Sequence, residues 1–327
     1  MSPRRLVFAT RCLLLLCASA WAAAALYFDG PLPEKNVLLS LGYLLVCGVI
    51  LWRTPGPWWK SAGVLSLFAA VLCWWFTLRP SNERDWSPEY AQAPWAEIDG
   101  DDVTIHHFRN CEYRTEHDFT PRWETKTVHL SNIRGTDLFM DFWGSPHIAH
   151  PLLSFDFGND GRVCASIETR REKGETYSAV RGFFRQYELY YVLGDERDLI
   201  RLRTNYRKED LYLYPMVKMT PGKSRALFLA YLQAAGDLRL HPRWYNAATN
   251  NCTTNIAGNA EACGAQVAWD WRILLNGHLD ELLYRYGVIP ANVPFAEMKA
   301  GSLINRKALT ADSAPDFAEQ IRRPFAP

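Results

Sequence analysis

Three apolar runs crowd the first 80 residues, and they constrain what the rest of the chain can be. They cover 6–28 (LVFATRCLLLLCASAWAAAALYF), 37–52 (VLLSLGYLLVCGVILW) and 62–78 (AGVLSLFAAVLCWWFTL). A helix needs roughly 17–25 mostly apolar residues to cross the hydrocarbon core of a bilayer. The first run exceeds that easily, and the other two lie at its short end. Arg11 is the one charge inside the runs, near an edge where a long cation can reach the headgroups. Arg4 and Arg5 ahead of an alanine-bearing stretch also fit a secretory signal, but the two further runs favour a three-span anchor. Arg4, Arg5 and Arg11 precede or begin the first span, and Arg53 and Lys60 lie in the loop RTPGPWWK, whereas the loop DGPLPEKN has only Lys35. By the positive-inside rule the N-terminus is cytoplasmic and everything after residue 78 is outside. Trp52, Trp58, Trp59, Trp74 and Trp75 sit near the span ends, where interfacial aromatics belong.

The expected organisation is therefore a membrane anchor over 1–80, a polar, proline-bearing linker over 81–94 (SNERDWSPEYAQAP), and an extracytoplasmic domain over 95–327. A net charge of +1 without a long basic tract argues against a nucleic-acid partner. Cys12, Cys17, Cys47 and Cys73 fall inside the apolar runs and read as packing residues. Cys111, Cys164, Cys252 and Cys263 follow no disulfide framework, and no CxxC suggests zinc. His106, His107 and His117 are the nearest thing to a metal cluster, but adjacent residues of a strand face opposite ways. No cofactor or metal is expected.

In the outer domain the segments 103–114, 123–133 and 138–143 read as strands. A hairpin pairs 150–157 (HPLLSFDF) with 163–170 (VCASIETR) across Gly158-Asn159-Asp160-Gly161, a turn rich in residues that tolerate positive φ. A second hairpin is expected between 187–193 and 198–204 across Gly194-Asp195, and 210–216 suits an edge strand because of Pro215. Helices follow: 224–235, opened by Thr220-Pro221 and stopped by Gly236; 252–262, capped by Asn251; and 278–286. Strands first and helices after them give an α+β domain.

The stretch NNCTTN (250–255) raises the functional question. With Asn251 as cap, Cys252 lies in the first turn of a helix, where free N–H groups and the dipole favour a thiolate and an oxyanion. A thiol enzyme also needs a base. Of the eight histidines, His150 is the strongest candidate, at the start of a rigid hairpin strand. Glu168, on the partner strand, lies across from it if the hairpin loop has an odd number of residues, and would then orient the imidazole. On the residues alone, Cys252 also fits a small structural residue at a helix start, and Glu168 with Arg170 and Arg171 also fits a charge cluster.

Three stretches, IAHPLLSFDF, ASIETRREKGETYSAVRGFFRQYELYYVLGDERDLIRLRT and WYNAATNNCTTNI, together resemble the Lnb N-terminal periplasmic domain, a family of bacterial envelope proteins, over about 98–276. The resemblance implies a permuted papain-like (NlpC-type) α+β fold, with an antiparallel sheet packed on helices and a strand histidine preceding the helix cysteine. It implies Cys252 as nucleophile, His150 as base and Glu168 as third residue, with Asn251, Tyr245 and Thr253 as donors to the base, substrate or oxyanion. The namesake proteins transfer a fatty acyl chain to a lipoprotein's N-terminal amine. A membrane lipid or lipoprotein substrate at the inner membrane follows as the expectation. Acyl hydrolysis, a peptidoglycan amidase or cysteine peptidase, and a non-catalytic envelope scaffold are the alternatives. Arg170, Arg171, Arg185, Arg201 and Arg203 would hold anionic groups or pair with Glu168, Glu172, Glu188, Glu196 and Asp198.

Overall fold

In a computed structural model, which describes residues 2–323, the chain divides into two compact units. Of the described residues, the first comprises 2–81, 177–188 and 244–246; the second comprises 82–176, 189–243 and 247–323. Segments 177–188 and 244–246, expected in the outer domain, thus fall in the unit that holds the anchor.

The first unit is built on α1 (Pro3–Asp29), α2 (Asn36–Arg53) and α3 (Pro57–Thr77). All three are long and apolar enough to cross a membrane. Proline opens α1 and α3, where a missing N–H removes no helical bond. The helices meet through small side chains: Ala22 and Ala23 of α1 pack with Tyr43, Cys47 and Val64, which lets backbones approach where no hydrophobic force drives them together. The Asn36 side chain closes the α1–α2 turn, accepting from Leu32 N–H and donating to Gly30 O.

The second unit is an eight-stranded mixed sheet flanked by helices. Its strands are β1 (Trp95–Asp99), β2 (Asp102–Arg109), β5 (Trp123–His129), β6 (Gly135–Phe142), β7 (Ala149–Asp156), β8 (Arg162–Arg170), β9 (Glu188–Gly194) and β10 (Asp210–Pro215), while β3 (Glu112–Tyr113) and β4 (Phe119–Thr120) form a separate ribbon. The order is β1-β2-β9-β8-β7-β6-β10, with β5 also on β2. Pairing is antiparallel at β1–β2, β2–β5, β6–β7, β7–β8 and β6–β10, and parallel where Arg109 of β2 meets Gly194 of β9. β10 closes one edge, as its proline allows.

Both faces of β7 are covered, which is why it reads PLLSF rather than alternating. Leu152 joins a core with Phe139, Tyr190, Leu199 and Leu211, to which the C-terminal helices add Ala308, Ala311 and Phe317. Phe155 packs on Phe228 and Tyr231 of α5 (Pro221–Leu240). The remaining helices are α4 (Glu196–Arg201), α6 (Cys252–Ala262), α7 (Leu279–Arg285), α8 (Phe295–Gly301), α9 (Asn305–Thr310) and α10 (Phe317–Gln320). Trp86 and Tyr90, inside the stretch read as a linker, are buried in this same core.

Two local expectations give way. Residues 198–204 are no strand: α4 is capped by Asp195, which accepts from Arg197 N–H, and a π-helical turn follows over Leu202–Arg207. DLIRLRT alternates like a half-buried strand, but here its arginines go inward as well, because Arg201 and Arg203 meet carboxylates there. Nor does Gly236 stop α5, which runs on to Leu240. Leu238 extends the buried stripe of Leu227 and Tyr231, and that burial outweighs glycine's helix penalty of about 1 kcal/mol.

Candidate functional site

The β7–β8 hairpin sets the site. Its register runs Asp156↔Arg162, Ser154↔Cys164 and Leu152↔Ser166, so the loop holds the odd number of residues that the pairing of His150 with Glu168 requires. Gly158 and Gly161 take the positive φ of the turn, at 58° and 81°. Two residues beyond the last ladder pair, His150 Nε2 lies 3.2 Å from Glu168 Oε1. On its other side His150 is in register with Asp141 of β6. Asp141, His150 and Glu168 therefore form a row across three strands.

Hydrogen bonds fix the imidazole. Ser166 Oγ donates to Glu168 Oε1 at 2.6 Å and lies 2.7 Å from His150 Nε2. A hydroxyl has one proton, and Ser166 gives its own to Glu168, so Nε2 is the donor to Ser166. That leaves Nδ1 as the basic nitrogen of the neutral ring. Arg203 completes the set from the π-helical turn: Nη2 donates to Glu168 Oε1 at 2.7 Å, and Nε lies 3.0 Å from Asp141 Oδ2.

The electrostatics follow from this packing. Burial pushes the His150 pKa down, but the Glu168 charge, the nearby Cys252 thiol and the hydrogen bond to Glu168 together outweigh it and hold it at about 10. Burial likewise raises Glu168, yet His150 and Arg203 carry its pKa well below the usual carboxylate range. Asp141 goes the other way: burial together with nearby Glu209 outweighs the attraction of Arg203 and raises its pKa. Two buried acids thus share one guanidinium and differ in charge.

Cys252 is the first residue of α6. Asn251 Oδ1 accepts from Thr254 N–H, and Thr254 Oγ1 accepts from Asn251 N–H, each at 2.9 Å, a reciprocal capping box. Asn251 Nδ2 donates to Ala247 O at 2.8 Å. The Asn251 side chain is thus fully engaged in holding the helix start and takes up the Thr254 N–H, which leaves the N–H of Cys252 itself as the backbone donor beside the sulfur. Cys252 is unbridged and buried, and its thiol lies near enough to His150 to help raise the imidazole's pKa.

A residue that sequence reasoning passed over completes the group. Asn276 Nδ2 lies 3.6 Å from Cys252 Sγ and 3.1 Å from Thr253 Oγ1, while its Oδ1 accepts from Ala149 N–H at 2.9 Å. It therefore ties the cysteine helix to the strand that carries His150. Thr253 Oγ1 is 3.8 Å from Sγ. The signal was the Asn-Gly pair. Gly277 donates its N–H to His147 O, and a Cβ there would meet Pro146 O at 2.4 Å and Ile148 N at 2.7 Å. Gly277→Ala is expected to lower stability by about 1–3 kcal/mol through overpacking, read as a drop in the thermal midpoint of the full chain in detergent.

The other site candidates are distributed. Tyr245 belongs to the first unit, where its N–H donates to Tyr187 O. Arg201 pairs with Glu112, and Arg170 donates to the carbonyls of Tyr90 and Ala91 and to Asn82. Arg171 donates to the Tyr90 hydroxyl. His106 stacks on Trp95 and His107 contacts Ala93 O. Among the described residues no group of three His, Cys, Asp or Glu side chains is placed to hold a metal.

Residues 119–277 match the family model described as the Lnb N-terminal periplasmic domain. The match takes in His150, Ser166, Glu168, Arg203, Cys252 and Asn276. No curated protein and no solved structure matches the chain.

Proposed function

We propose that this Lnb-type periplasmic domain, joined to three membrane-spanning helices, is a thiol enzyme that transfers or hydrolyses acyl groups at the inner membrane, with the N-terminus cytoplasmic. The carrying observation is the position of His150, held by Ser166 and Glu168 through Nε2 and close enough to the Cys252 side chain for the two to interact electrostatically. In the first half-reaction His150, whose raised pKa favours the imidazolium, holds the thiol proton on Nδ1 while Sγ attacks the acyl carbonyl as the thiolate of that pair. The oxyanion is met by the Cys252 backbone N–H and the Asn276 amide. Collapse expels the alcohol, which leaves with the proton from His150, and the acyl group remains as a thioester on Cys252. An amine or a water then attacks that carbonyl, gives its proton to His150, and departs as amide or acid while the thiol is regenerated. Glu168 keeps its charge throughout and stabilises the imidazolium.

The surroundings favour an acyl chain over a peptide. Trp269 is 78% exposed, and Trp271, Leu274 and Leu275 lead directly into Asn276 with large exposed apolar faces. Trp271 and His278 are 5.2 Å apart by ring centroids, and His278 contacts His147 just ahead of β7. These rings put apolar surface beside the residue that holds Sγ.

The test is intact-mass analysis of the full chain in detergent after incubation with a phospholipid or with an activated fatty thioester. The expected result is one acyl adduct mapping to Cys252, formed roughly 10²–10⁴-fold more slowly in His150→Gln. A peptide fragment trapped from a muropeptide, in place of the fatty chain, would point to an amidase. No adduct on Cys252 from any acyl donor would leave a binding or scaffold module.

A further inference from the structure

The first unit contains more than three helices. We propose that its segment 177–188 is a membrane-interface loop that buries Val180 and Phe183 among lipid headgroups and upper acyl chains, beside the outer ends of α1 and α3.

The attachment of the segment is specific. Asp29, the last residue of α1, accepts from Trp75 Nε1 at 2.7 Å and from Arg185 N–H at 3.2 Å, and its other oxygen accepts from Gln186 Nε2 at 2.8 Å. Gln186 also donates to Phe28 O at 2.9 Å. The Arg185 guanidinium lies 4.0 Å over the Trp75 ring and donates to Leu78 O at 2.5 Å, just past α3. Phe184 packs on Phe28, ring centroids 4.8 Å apart. The loop is thus fastened to the span ends that α1 and α3 share.

Its fold is two-faced. Arg181–Phe183 is a single 3₁₀ turn, in which residues three apart eclipse one another. Val180 and Phe183 therefore stand on one side, 58% and 49% exposed, while Gly182 and Phe184 are buried. Tyr177, three residues earlier, is exposed as well. Two adjacent large apolar side chains turned outward need an occupant.

Lipid is the occupant the surroundings indicate. Tyr27 of α1 and Phe76 of α3, at the same span ends, are also exposed, and with Trp75 they form the aromatic level expected at a bilayer interface. Val180 and Phe183 extend that level away from the helices. Arg181 between them supplies a cation suited to lipid phosphate. Further along the spans Leu13, Leu16 and Leu45 are exposed too, as side chains that face lipid would be.

Photocrosslinking of the full chain in phospholipid nanodiscs tests this directly. Phe183→p-benzoylphenylalanine and, separately, Val180→p-benzoylphenylalanine replace exposed side chains, so both proteins should fold, and unchanged thermal unfolding checks it. Leu45→p-benzoylphenylalanine reports a mid-span position. Phospholipid adducts at 180 or 183, within about threefold of the yield at 45, are expected. Adducts to protein alone, or none at either position while 45 labels, would overturn the proposal. Because the readout needs no turnover, its failure is distinguishable from failure of the thiol chemistry.

Discussion

Cys252→Ala is expected to abolish the proposed acyl transfer while leaving the fold intact. The expected loss is about 10⁴–10⁶-fold in rate, the range seen when a covalent nucleophile is removed from an intact site. The thermal midpoint should hardly move. The cap of α6 rests on Asn251 and Thr254, not on the sulfur, and loss of one buried sulfur is a small packing change. A second readout separates a nucleophile from a spacer. The His150 pKa of about 10 rests in part on the nearby Cys252 thiol, so the alanine protein should titrate His150 lower, as followed by the ring's NMR shifts. Retained acyl transfer in the variant would discard the mechanism; an unchanged histidine titration would detach Cys252 from His150.

Much of this site is legible in the sequence. The capping pattern at Asn251 is local, and local side-chain chemistry decides helix starts, so Cys252 was rightly placed at the first position of α6. The cross-strand pair His150–Glu168 was conditional on an odd-numbered loop, and the register Asp156↔Arg162 meets that condition. What was hidden is what the chain assembles from afar. Asn276 lies 24 residues beyond Cys252, and no periodicity marks it. The pairing of Arg203 with Glu168 was among the sequence expectations, but its place on a π-helical turn and its second partner, Asp141, were not, because the two carboxylates come from β8 and β6, 35 and 62 residues earlier in the chain. Buried ion pairs make inward positions look outward, and single-sequence patterning cannot distinguish the two. The anchor was easier, since hydrophobic length alone defines a candidate span, yet the inclusion of 177–188 in that unit rests on Asp29 meeting Arg185 and Gln186, neighbours that lie 156 and 157 residues further along the chain.

Arg203 is also where the largest loss of stability is expected. The residue is 3% exposed and is the cation that Glu168 and Asp141 share. Arg203→Met keeps the volume but leaves Glu168 facing His150 alone and Asp141 without a cation. Removing one member of a buried charge set costs about 3–5 kcal/mol, because the remaining charge stays desolvated; that should lower the thermal midpoint by on the order of 10 °C. Arg203→Lys keeps the charge but cannot span both carboxylates with a planar fork, so it should fall between wild type and Arg203→Met. The pH dependence provides the discriminating signature. Glu168, with its pKa depressed below the ordinary 4.5, contributes stability present above that value and lost as pH falls through its folded pKa. His150, raised from 6.5 to about 10, contributes stability fully present below 6.5 and lost as pH rises toward 10. In Arg203→Met the depression of Glu168 shrinks, so the acid limb of the stability curve should move to higher pH while the alkaline limb set by His150 remains. An unchanged acid limb, measured by thermal unfolding across pH 3–10, would mean that Arg203 does not hold Glu168 in its charged form.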